Sequence, residues 1–132
     1  MKHLLLSFIL ILCTSLCTIA ETRWYHGTSY AYKYIDNGQW KPWTDWIKCD
    51  ISIKIDIDDD LIVIYSKKKQ IYKVVEYKGK FKDSGGGTYI SYFVIDQDND
   101  IGSIRLRVEK NGHGQLYVDF ANLMWVYNLS QD

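Results

Sequence analysis

Apolar and polar residues alternate most clearly between Cys49 and Tyr77. Ile51, Ile53, Ile55 and Ile57 take every second place, with Ser52, Lys54 and Asp56 between them. A period of two puts the isoleucines on one face of a strand and the polar groups on the other. Asp58-Asp59-Asp60 breaks the run, Leu61 to Tyr65 is continuously apolar, Lys67-Lys68-Lys69 breaks again, and Ile71 to Tyr77 follows. Turns this short join antiparallel neighbours, because a parallel return needs a crossover of about a dozen residues or more.

The same grammar extends in both directions. Glu21 to Thr28 reads as an ordered lead-in, and Tyr30, Tyr32 and Tyr34 alternate with smaller or polar residues as a strand. Asp36-Asn37-Gly38 is a turn signal, since Asn and Gly tolerate positive φ. Pro42 demotes the stretch from Gln39 to Ile47 to an edge strand or an irregular connection. Lys78 to Gly87, with three consecutive glycines, reads as the longest break and as a mobile loop. Thr88 to Ile95 is a strand, Asp96 to Asp100 a turn, and Ile101 to Glu109 a strand with Ile104, Leu106 and Val108 on one side. After the Asn111 to Gly114 turn, Leu116, Val118 and Phe120 point inward. Leu123, Trp125 and Tyr127 continue on a shifted phase, which a one-residue bulge in a single long last strand would explain.

No stretch repeats apolar residues with helical spacing. The expectation is an all-β domain over residues 21–132. Its form is a small antiparallel up-and-down barrel, or a sandwich, of seven to eight strands. Sequential hairpins favour the barrel, whose closure removes both edges. Gly38-Gln39-Trp40 resembles the Gly-x-Trp step of lipocalin-type barrels. The resemblance covers three residues, agrees with a barrel of that shape and transfers no functional residue.

Residues 1–20 have a different character. Lys2 precedes an almost wholly apolar run from Leu4 to Leu16, and Thr18-Ile19-Ala20 offers small residues three and one before a cut. That is the layout of a secretory signal peptide, and the run is too short to span a bilayer comfortably. Leu12 and Leu16 precede Cys13 and Cys17 where a lipoprotein signal would place a small residue. Cleavage after Ala20 leaves 15 basic against 16 acidic residues, which gives no electrostatic case for nucleic acid or anionic lipid. It also leaves a single cysteine, Cys49, expected as a small hydrophobe beside a strand. The expected location is therefore secreted or periplasmic, with no membrane span after cleavage. The abundant Ile, Lys, Tyr, Asp and Asn is what an AT-rich genome yields, as in a low-GC bacterium or its phage.

Chemistry is sparse. His26 and His113 are the only histidines after the leader, and no nucleophile motif, metal-ligand spacing or paired cysteines appear. Asp96 to Asp100 starts like a calcium loop, but Ile101 stands where glycine is needed and Arg107 where a bidentate glutamate is needed. No metal, cofactor or catalysis is expected. Aromatic residues are the surplus: eleven tyrosines and five tryptophans. Rigid amphipathic rings fill cores, and they also stack on sugars and anchor partners. Trp40, Trp43 and Trp46 surround Pro42, and a period of two sets Trp43 opposite the other two. Trp40 and Trp46 are then expected in the core and Trp43 at the surface, with Trp43, Trp40, Trp46 and Trp24 as the candidate binding residues. The sequence thus points to a non-catalytic binding module for a glycan, a small apolar ligand or a surface protein. The alternative is a structural or interaction protein.

Overall fold

The computed structural model describes residues 22–130; the signal-peptide assignment, with Cys13 and Cys17, lies outside them. Strands β1 (Arg23–Asp36), β2 (Gln39–Trp40), β3 (Ile47–Asp56), β4 (Leu61–Ile64) and β5 (Gln70–Lys82) are followed by β6 (Thr88–Ile95), β7 (Ile101–Val108), β8 (Gly114–Asp119) and β9 (Leu123–Ser130). Each pairs antiparallel with the next around the sheet, from β1 through β3 to β9, and β9 returns to β1. Eight strands thus close an up-and-down barrel. The two-residue β2 adds a short hairpin on β1, turned by Asn37 (φ 51°) and Gly38 (φ 75°). No helix among the described residues is long and apolar enough to cross a membrane, a statement that concerns helices alone.

Inward positions follow the alternation. Ile53 and Ile55 of β3 meet Ile62 and Ile64 of β4, Tyr72 of β5, Val94 of β6, Ile104 of β7, Leu116 and Val118 of β8, and Tyr127 and Leu129 of β9 in one buried cluster. Ile57 does not continue the isoleucine face. It lies exposed in the β3–β4 turn, while Asp56 is buried and its Oδ1 accepts the Asp59 N–H at 3.2 Å. The strand ends where a carboxylate can hold the turn.

Four expectations are corrected. The lead-in before Tyr30 is the first half of β1, running from Arg23 beside β3. Lys78 to Lys82 is the second half of β5 rather than a break, because bulges between Val74 and Glu76 and between Tyr77 and Gly79 absorb the irregular pattern. The glycine-rich turn that remains is tethered: Asp83 Oδ1 accepts the N–H groups of Gly85 and Gly87 at 2.9 and 3.0 Å, and Asp83 Oδ2 accepts Arg107 Nε at 2.6 Å. The Arg107 guanidinium accordingly holds the Asp83 carboxyl below its ordinary range. Last, Leu116 to Tyr127 is two strands and not one bulged strand. Asp119 pairs with Met124 across a tight turn closed by Phe120 N–H to Leu123 O at 2.9 Å, which brings the total to nine strands.

That turn leaves Phe120 inside the barrel, against Gly102. A Cβ on Gly102 would come within 2.8 Å of both the Asp119 carbonyl oxygen and Phe120 Cε1. Gly102→Val should therefore cost about 1–3 kcal/mol by overpacking. Chemical denaturation checks this, and a midpoint equal to wild type would show that the Phe120 ring moves aside freely.

Candidate ligand-binding site in the barrel mouth

One end of the barrel is ringed by the β4–β5, β6–β7 and β8–β9 turns, and there the interior opens into a cavity of about 770 Å³. Its walls are Tyr30 and Tyr32 of β1, Cys49 and Ile51 of β3, Gln70 to Tyr72 of β5, and Leu123, Trp125 and Tyr127 of β9. Lys67 to Lys69 form one rim and Asp96 to Asp98 another. The volume lies in the range of small-molecule pockets, and the lining has their usual mixture of aromatic walls with a few polar groups.

A bulge builds the tyrosine wall. Gly27 faces inward opposite Leu129, and Thr28 is then the extra residue: Ser29 pairs with Asn128 and Tyr30 with Tyr127. Without that one-residue step the β1 tyrosines would sit on the outside, because a shift of one exchanges the faces of a strand. Tyr30 and Tyr127 then lie 6.2 Å apart, ring to ring. Deeper in, Phe120 stacks on Trp125 at 6.0 Å and 12°, and touches Tyr72 at 6.2 Å.

The polar groups form a chain across these walls. The Tyr72 hydroxyl donates to Gln70 Oε1 at 2.5 Å. Gln70 Nε2 donates to Ser66 Oγ at 2.9 Å and to the Tyr127 hydroxyl at 3.1 Å, and Ser66 donates to the Lys68 carbonyl at 2.7 Å. Burial pushes the pKa of both tyrosines above the ordinary phenol value, so both keep their protons at neutral pH. Trp125 Nε1 is buried near the Tyr127 hydroxyl, outside hydrogen-bonding geometry. Cys49 packs against the core, and burial pushes its thiol up as well, which keeps it a weak nucleophile.

The tryptophans singled out in the sequence are not in this cavity. Trp40, Trp43 and Trp46 are 40%, 39% and 51% exposed, so the expectation that Trp40 and Trp46 are core residues is wrong. The segment after β2 continues along β1, with Lys41 N–H to Tyr34 O and Thr44 N–H to Tyr32 O, and it lays its indoles on the outer wall. Trp40 and Trp43 are not on opposite faces either: Lys33 Nζ lies 5.2 and 4.9 Å from their ring centres. Trp43 meets Tyr117 edge-on at 6.3 Å. Between β1 and Tyr117 of β8 lies the outward row Ala31–Val126, and both residues are buried although they face out. Trp43 is their roof. Trp24, 58% exposed, stacks on Tyr65 at 5.9 Å on the same outer wall.

Two further groupings lie elsewhere. A second cavity of about 440 Å³ lies among Asp56, Val74, Tyr77 and Tyr92. On the outer wall, His26 Nε2 meets the Asp50 carboxylate, and Ser130 Oγ stands 3.4 Å from His26 Nδ1. The residue types are those of a hydrolytic triad, which sequence spacing had concealed. The group belongs to neither of these two cavities, and Asp50 is nearly fully exposed. In the Asp96 to Asp100 turn three carboxylates approach within 4.8 Å, with Asp96 Oδ1 already accepting the N–H groups of Asp98 and Asp100 at 2.9 Å each.

The chain matches no protein-family model and no curated protein.

The roofing role gives Trp43, expected at the surface, a larger share in stability than Trp46, expected in the core. Trp43→Ala should destabilise by about 1–2 kcal/mol, because it uncovers Ala31 and Val126. Trp46→Ala should stay within about 0.5 kcal/mol of wild type, as surface changes do. Urea denaturation of the two variants decides between roof and spectator, and equal losses would contradict the assignment.

Proposed function

We propose that this protein is a non-catalytic binding module that takes a small, largely apolar molecule into its barrel mouth. The observation that carries the reading is the 770 Å³ cavity walled by aromatic and aliphatic side chains from β1, β3, β5 and β9. A core of this size normally closes on itself at organic-crystal density. Here the rings at one end stand apart around open space, and the polar groups on the walls are tied to one another. Such a site holds a ligand by burial and orients it by few hydrogen bonds. The leader-like first 20 residues fit a module that works outside the cytoplasm, and an intact mass beginning at Glu21 checks that part.

A second reading rests on the outer wall. Trp40, Trp43 and Tyr117, with Lys33 and with Arg105 lying 4.3 Å over the Tyr117 ring, form an exposed aromatic and cationic surface. Such surfaces anchor protein partners.

Fluorescence titration with anilinonaphthalene sulfonate separates the two. On the first reading one probe binds per chain. Ile51→Trp, which fills the cavity, abolishes binding, and Trp43→Ala leaves it unchanged. Binding that survives Ile51→Trp and is lost in Trp43→Ala would move the site to the outer wall.

A further inference from the structure

We infer that the ligand of the barrel mouth presents a hydrogen-bond-accepting oxygen, of the carbonyl or ether class, to the hydroxyl of Tyr127. The inference rests on the barrel-mouth reading and adds the chemistry of the bound group.

The direction of every hydrogen bond in the wall is forced. Ser66 spends its only proton on the Lys68 carbonyl, so its oxygen can only accept from Gln70. That fixes the Gln70 amide with Nε2 toward Ser66 and Oε1 toward Tyr72. The two Nε2 hydrogens then go to Ser66 and to the Tyr127 oxygen, and Oε1 receives the Tyr72 proton. Tyr127 is thus an acceptor within the chain, and its own proton is unspent. No group among the described residues takes it. The Trp125 N–H, close by, is a second donor with no acceptor. The chain runs in one direction, from Tyr72 through Gln70 to Tyr127, and each bond polarises the next, so its last donor is strengthened.

The cavity therefore has an acceptor-seeking wall. A ligand presenting only an N–H at that point would set donor against donor, and a hydroxyl would accept through its oxygen but bring a proton of its own that needs another acceptor. A ligand with no polar atom there would leave the Tyr127 proton unpaired in an apolar surrounding. A carbonyl or ether oxygen satisfies the hydroxyl and brings no charge beside the three carboxylates of the Asp96 to Asp100 turn.

Calorimetric titration with a matched pair tests this: 2-acetylnaphthalene, which carries the oxygen, and 2-ethylnaphthalene, which has nearly the same shape without it. The wild-type protein should bind the ketone about tenfold more tightly, and the preference should fall to near unity in Tyr127→Phe. Equal binding of the two probes by wild type would overturn the inference while the apolar cavity reading stands, and this comparison needs no variant. A ketone preference that persists in Tyr127→Phe would overturn the assignment to Tyr127. Failure of both probes to bind wild type would overturn the cavity reading and the inference with it.

Discussion

Closure of β9 onto β1 is the constraint on which the rest depends. The pairing runs from His26 opposite Ser130 to Tyr34 opposite Leu123, and it leaves the sheet with no free edge except the two-residue β2. It also fixes which side of β1 is inside. The register shifts between Gly27 and Ser29 in the pairings of β1 with both its neighbours: against β9 the extra residue is on β1, and against β3 it is on β3, where Ile51 gives way to Lys48. Below the step Tyr25 and Gly27 line the interior; above it Tyr30 and Tyr32 do. The first half gives close packing around the isoleucine cluster, and the second gives the open mouth.

The surplus of aromatic residues is divided by that wall. Inside the mouth, Tyr30, Tyr72, Trp125 and Tyr127 surround space, with Phe120 stacked on Trp125. Outside, Trp43 lies across the row of Ala31 and Val126, Trp24 stacks on Tyr65, and lysines lie across both indoles. The two populations do different physical work. The outer rings extend the buried area of a small barrel beyond its interior, which matters for a domain with a short core. The inner rings withhold packing at one end, and Gln70 ties the hydroxyls there so that they are ordered before anything binds. Preorganisation of this kind reduces the entropy lost on binding.

The barrel itself was legible because hairpin turns and period-two runs are local signals. Asn37-Gly38 and the isoleucine run of β3 needed no tertiary information. The β8–β9 hairpin was hidden because Phe120 to Asn122 contains neither Gly nor Pro, and its phase change mimics a bulge. β5 was cut short because Gly79, at φ 117°, reads as a break although it lies beside a bulge inside the sheet. The tryptophan run was misplaced for another reason: alternation separates two faces, but it does not say that an outward face is roofed. The cavity was not legible at all. Its walls come from four strands far apart in sequence, and Gln70, which organises its polar groups, directly follows the Lys67 to Lys69 turn with no motif to mark it.

Cys49 offers the most direct measurement of the central claim that the barrel mouth is a ligand site. It lines the cavity and is the one cysteine of the described residues. The rate of its reaction with N-ethylmaleimide can be followed by mass with and without saturating 2-acetylnaphthalene. The ligand should suppress the reaction at least tenfold, while circular dichroism stays unchanged. An undiminished rate with the ligand demonstrably bound would contradict it and place the occupied site elsewhere on the barrel.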